Sequence, residues 1–102
     1  MAFGLDDGTI KRIQEVFSRF PEIREVVLYG SRAMGNFKPG SDIDLCMKTA
    51  REDLNLLNSI SMQLEELMLP YFFDLSFYRH IQNPELLSHI SRVGKRFYTK
   101  EV

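Results

Sequence analysis

The stretch Glu25-Val26-Val27-Leu28-Tyr29-Gly30-Ser31-Arg32, followed after a loop by Ser41-Asp42-Ile43-Asp44-Leu45, decides how this chain folds. The unbroken Val26-Val27-Leu28 run reads as a strand over Glu25 to Tyr29 that is buried on both faces. It runs into a Gly-Ser turn, and 12 residues after Gly30 comes the first of two aspartates with one apolar residue between them. In an extended strand, residues i and i+2 point to one face and lie about 6.6 Å apart. Asp42 and Asp44 therefore lean together toward one divalent cation, while Ile43 and Leu45 face a core. A phosphate grip beside a metal grip is the minimum equipment for phosphoryl or nucleotidyl transfer.

Outward from this centre, Ile10, Ile13, Val16, Phe17 and Phe20 recur at helical spacing, predicting a helix from about Gly8 to Arg19. Asp6 and Asp7 suit its N-terminus, and Pro21 marks its end. Residues 30–40 are turn-like, with a short helical turn compatible with the composition from Ser31. A second strand is expected over Asp42 to Lys48. Thr49-Ala50-Arg51-Glu52 has the form of a capping box opening a helix to about Met68, with Leu54, Leu57, Ile60, Leu64 and Leu67 as its buried stripe. Pro70 stops that helix. Tyr71 to Tyr78, rich in aromatics, reads as a third strand. Asn83-Pro84 has the chemistry of a helix start, Gly94 of its close, and Arg96-Phe97-Tyr98 of a short last strand. The fold class is a small α/β (α+β) domain, a mixed sheet of three to four strands flanked by helices.

The bulk properties narrow the classes. At 102 residues and 44% hydrophobic content, a single domain over residues 1–102 with one modest core is expected. With a net charge of −1, nothing global argues for nucleic acid or an anionic membrane, and neither direct nucleic-acid binding nor a membrane partner is expected. Arg92, Lys95, Arg96 and Lys100 form a basic edge, read as solvated. The single cysteine, Cys46, has no internal partner and is expected as a reduced thiol. With no signal-like N-terminus and no membrane-length apolar run, a cytoplasmic protein is expected.

A third acid falls inside Tyr71-Phe72-Phe73-Asp74-Leu75-Ser76-Phe77. Alternation puts Phe73, Leu75 and Phe77 on one face and Asp74 with Ser76 on the other. A carboxylate among so many aromatics needs a partner. If the third strand flanks the second, the Asp42/Asp44 site supplies one, since neighbouring strands lie about 4.8 Å apart. Two unit charges about 4 Å apart interact by roughly 4 kcal/mol at a surface-like dielectric, so three acids together demand a proton or a cation. An oxygen-only ligand set favours Mg²⁺ or Mn²⁺ over zinc.

Other readings of these motifs fail on particular residues. An EF-hand needs polar alternation and a glycine after Asp44, where Leu45-Cys46-Met47 stands. Gly30-Ser-Arg-Ala-Met-Gly35 begins like a P-loop, but Asn36-Phe37 replaces the Lys-Ser/Thr. The aspartyl-phosphatase pattern wants a threonine where Cys46 sits.

Taken together, Tyr29-Gly30-Ser31, Asp42-Ile43-Asp44 and the later strand acid Asp74 resemble the minimal nucleotidyltransferase (MNT) family of the DNA polymerase β-like superfamily. The resemblance spans nearly the whole chain. It implies that superfamily's fold, and transfer of a nucleoside monophosphate from an NTP, ATP by family precedent, with release of pyrophosphate. It implies Asp42, Asp44 and Asp74 as catalytic, metal-binding acids for Mg²⁺ (or Mn²⁺), and Gly30, Ser31, Arg32 and Ser41 as nucleotide-binding residues. Arg32 is equally readable as a surface residue, and Ser41 as a turn former. Many close relatives read Gly-Ser-Arg-Ala-Arg-Gly, whereas this chain has Met34 at the second arginine, removing one phosphate contact. MNT proteins are commonly paired with small all-helical HEPN proteins in toxin–antitoxin modules, in some pairs attaching AMP to a tyrosine of the toxin. Such a partner, in a homo- or hetero-oligomer, is therefore implied. Two alternatives remain: a non-catalytic nucleotide-binding module that inhibits a helical partner by contact, and an accessory subunit that assembles with a separate substrate domain.

Overall fold

A computed structural model describes residues 1–101 of the chain. Its elements run α1 (Asp7–Ser18), β1 (Ile23–Tyr29), α2 (Ser31–Met34), β2 (Ile43–Thr49), α3 (Leu54–Glu65), β3 (Phe73–Phe77), a 3₁₀ turn (Tyr78–His80), α4 (Pro84–Val93) and β4 (Lys95–Thr99). The strands form one mixed sheet in the order β3-β2-β1-β4. β1 pairs antiparallel with both β2 and β4, and β2 pairs parallel with β3. The mixed sheet flanked by helices is the architecture expected from the sequence.

Alternation along the strands sorts the two faces. On one, Val26 and Leu28 of β1, Ile43, Leu45 and Met47 of β2 and Phe77 of β3 form the main core with Ile13, Val16 and Phe17 of α1 and Leu56, Ile60 and Leu64 of α3. A parallel β2–β3 pair needs a crossover, and α3 is that crossover. On the other face, Val27, Tyr29 and Cys46 pack with Ile90 of α4, and the acids lie on this thinly covered side. No helix among the described residues is long and apolar enough to cross a membrane.

The β1–β4 register shifts between Val26, which opposes Tyr98, and Val27, which opposes Arg96. Phe97 is the extra residue of this bulge. Both aromatics thereby reach Phe17, with ring centroids 6.4 Å from Phe97 and 5.9 Å from Tyr98.

Several expected boundaries move. The capping box does not form: Thr49 ends β2 and its hydroxyl donates to the Arg51 carbonyl at 2.7 Å. The N-cap is Asp53, whose carboxylate accepts from the Leu56 amide at 2.8 Å. The helix also stops at Glu65, before the expected Met68, which has a positive φ of 56°. The third strand is shorter than Tyr71 to Tyr78, because Tyr78 already belongs to the 3₁₀ turn. Asp6, Asn83 and Gly94 cap their helices as anticipated.

Candidate active site

Asp44 is the hinge of the site. It opposes Tyr29 across the β1–β2 ladder and Asp74 across the parallel β2–β3 ladder, so Asp44 and Asp74 project from one face in adjacent strands. Asp42 lies just before β2, exposed, two residues along the same extended chain. The Ile43 amide donates to the Phe72 carbonyl at 2.9 Å, so pairing continues past the end of β3 beside Asp42. Among the described residues no three His, Cys, Asp or Glu side chains are gathered closely enough to hold an ion as they stand. Asp44 nonetheless senses the other two acids. Burial raises the Asp44 carboxyl above its ordinary value, the neighbouring Asp74 and Asp42 charges raise it further, and the Arg32 charge pulls it back.

Gly30 explains why Asp44 can lie where it does. Gly30 has φ +75° and ψ −158°, a conformation that belongs essentially to glycine. A Cβ placed there would sit 2.2 Å from Asp44 Oδ2. The missing side chain is the space the carboxylate fills. Ser31 opens the one-turn α2, and the first carbonyls of that turn accept from the Ala33, Met34 and Gly35 amides.

The Gly30 amide itself is engaged: it donates to His89 Nε2 at 2.9 Å. The His89 ring also meets Tyr29 edge-on, with centroids 6.2 Å apart. The sequence gives no metal-ligand spacing around His89, and only the packing of α4 on β1 brings it here. The Tyr29 hydroxyl is held above its ordinary range, first by burial and then by Asp74, Asp44 and Cys46, while the Ser76 hydroxyl acts in the opposite sense. Ser76 Oγ is buried on this face without a hydrogen-bond partner at bonding distance. Burial pushes the Cys46 thiol up to about 11, so it stays a protonated packing group.

Arg32 is not the surface residue that one sequence reading allowed. It is 2% exposed. Its guanidinium donates to the carbonyls of Phe3 (2.9 Å), Ser41 (2.9 and 3.1 Å) and Pro39 (3.3 Å). Phe37 and Tyr71 lie 5.2 and 4.9 Å from it in cation–π contact. Arg32 thus pins the 35–41 loop and the N-terminal turn together, and its charge reaches Asp44 from a distance. Ser41 shapes the same loop: its Oγ accepts from the Lys38 amide at 2.8 Å, and its own amide donates to the Lys38 carbonyl. Met34 is half exposed at the end of α2.

The residues fit a divalent cation by donor chemistry: carboxylate oxygens from neighbouring strands, a glycine cleared for one of them, and an orphaned hydroxyl on the same face. That is an oxygen set suited to Mg²⁺ or Mn²⁺.

Residues 11–102 match the family model described as polymerase beta, nucleotidyltransferase, and the chain belongs to that family. No curated protein matches it in sequence. Among solved structures, the fold resembles a chain of a toxin–antitoxin complex with AMP-PNP (TM-score 0.70, 20% identity, covering 95% of this chain and 76% of that one). It also resembles a chain of a Shewanella oneidensis complex of tri-AMPylated HEPN toxin with MNT antitoxin (TM-score 0.68, 17% identity, 94% and 74% covered). A third likeness is to a chain of the MntA–HepT toxin–antitoxin (TM-score 0.67, 18% identity, 93% and 74% covered). These likenesses concern the fold.

Proposed function

We propose that the chain, as one nucleotidyltransferase domain, transfers AMP from ATP to a tyrosine hydroxyl of a small all-helical HEPN-type partner in the cytoplasm and so acts as an antitoxin. The observation that carries this is the register pairing of Asp44 with Asp74, on the face where Gly30 gives the Asp44 carboxylate room. Family membership and the AMP-PNP and AMPylated complexes among its structural neighbours support it.

In this reading Asp42, Asp44 and Asp74 hold Mg²⁺, for which Mn²⁺ substitutes. A cation held there would supply neutralisation of phosphate charge, and the acids would orient it beside the Gly30-Ser31 turn. The acceptor oxygen attacks that phosphorus, the bond to pyrophosphate breaks, and the acceptor's proton passes to Asp74, the more open of the two paired acids. The hydroxyl and amide of Ser31 hold phosphate oxygens. Arg32 and Ser41 contribute by fixing the 35–41 loop that leads into Asp42.

Incubation with α-labelled ATP, Mg²⁺ and the co-purifying partner tests the proposal. Label should appear on the partner and fall at least a hundredfold with Asp42→Ala or Asp44→Ala. Transfer that survives both substitutions rejects the site. Neutralisation of the partner without label, unaffected by either change, would mark a binding module instead.

A further inference from the structure

The contact between α4 and the Gly-Ser turn has no counterpart in the sequence motifs. His89 Nε2 accepts a hydrogen bond from the Gly30 amide at 2.9 Å, and a ring nitrogen that accepts is one that carries no proton. The next residue of α4, Ile90, is buried against Val27, Tyr29 and Cys46. The helix is capped at Asn83, whose side chain accepts from the Glu85 and Leu86 amides. It is therefore anchored at both ends of the stretch that carries His89. The imidazole edge against Tyr29 leaves the ring little freedom to turn away.

The anchored acceptor controls two neighbours. It fixes the peptide plane entering Gly30, whose φ of +75° is one of many conformations open to a free glycine. Gly30 in turn bounds the Asp44 carboxylate, which sits where its side chain would be. Ser31 follows directly. The peptide that His89 holds thus lies between the Asp44 carboxylate and Ser31. We propose that His89 is a positioning residue for nucleotide binding, acting through the Gly30 amide by hydrogen-bond acceptance and not through the packing of its ring. This rests on the nucleotidyltransferase reading above.

Two substitutions separate acceptance from packing. His89→Gln returns an oxygen acceptor near the Nε2 position but loses the ring, and His89→Phe keeps a ring on Tyr29 but offers no acceptor. The readouts are hydrogen exchange of the Gly30 amide and the dissociation constant for MgATP, with the melting temperature as a check on the fold. His89→Phe should speed Gly30 exchange and weaken MgATP binding about tenfold, with folding retained, and His89→Gln should stay close to the parent on both. Unchanged Gly30 exchange or MgATP affinity in His89→Phe overturns the proposal, as does a Gln variant impaired as severely as the Phe variant. A parent protein that neither binds MgATP nor transfers its nucleotide refutes the underlying function, a result distinct from a normal parent with a normal His89→Phe variant.

Discussion

At Gly30, backbone conformation and site geometry meet in one atom's absence. Alanine there adds a Cβ 2.2 Å from Asp44 Oδ2 and forces a non-glycine residue to φ +75°. We expect Gly30→Ala to cost about 1–3 kcal/mol in urea unfolding, and to abolish nucleotide transfer because the displaced carboxylate cannot return. Arg32 makes a different prediction. Its planar fork addresses three carbonyls on two segments and meets two aromatic rings, a set of contacts lysine cannot copy. Arg32→Lys should therefore lower stability by roughly 2–3 kcal/mol in the same assay. A loss below about 0.5 kcal/mol would contradict the clamp.

Among the elements, the start of α3 tests where its cap lies. Asp53→Ala removes the side chain that accepts from the Leu56 amide and should destabilise by about 1 kcal/mol. Thr49→Ser keeps the hydroxyl that bonds the Arg51 carbonyl, and should unfold at nearly the same urea concentration as the parent. An Asp53→Ala variant as stable as the parent would contradict this cap. The misreading has a physical source: Thr49-x-x-Glu52 fits the capping pattern locally, but Thr49 is claimed by its ladder with Ile23, a partner 26 positions away in sequence. Local pattern also reveals the strands of β1, β2 and β3 and the face on which Asp44 and Asp74 lie, because alternation is a property of consecutive residues. It does not reveal His89 or the Arg32 clamp. Those depend on α4 docking over β1 and on the N-terminal turn reaching the 35–41 loop, contacts between segments far apart in the chain.

For the molecule as a whole, charge crowding on the acid face gives stability a pH dependence. The Asp44 carboxyl is raised above its ordinary value of 3.8 by burial and by neighbouring acids. The folded state therefore favours the protonated form. Its contribution is stabilising below the unfolded-state value and is lost as pH climbs through the raised folded one. Asp44→Asn should raise the melting temperature at pH 7, and the gap should close as the pH falls below the ordinary aspartate range. An equal gap at all pH values would show that charge is not the cause. The parallel pairing of β2 with β3 has one more consequence. Sliding β3 by a single residue would turn Phe73, Leu75 and Phe77 outward to water and push an aspartate into the oily layer beneath. The aromatics that give this strand its greasy composition thus act as a proofreading device. They make the misaligned sheet so poor that the acid is delivered to its correct side each time the chain folds.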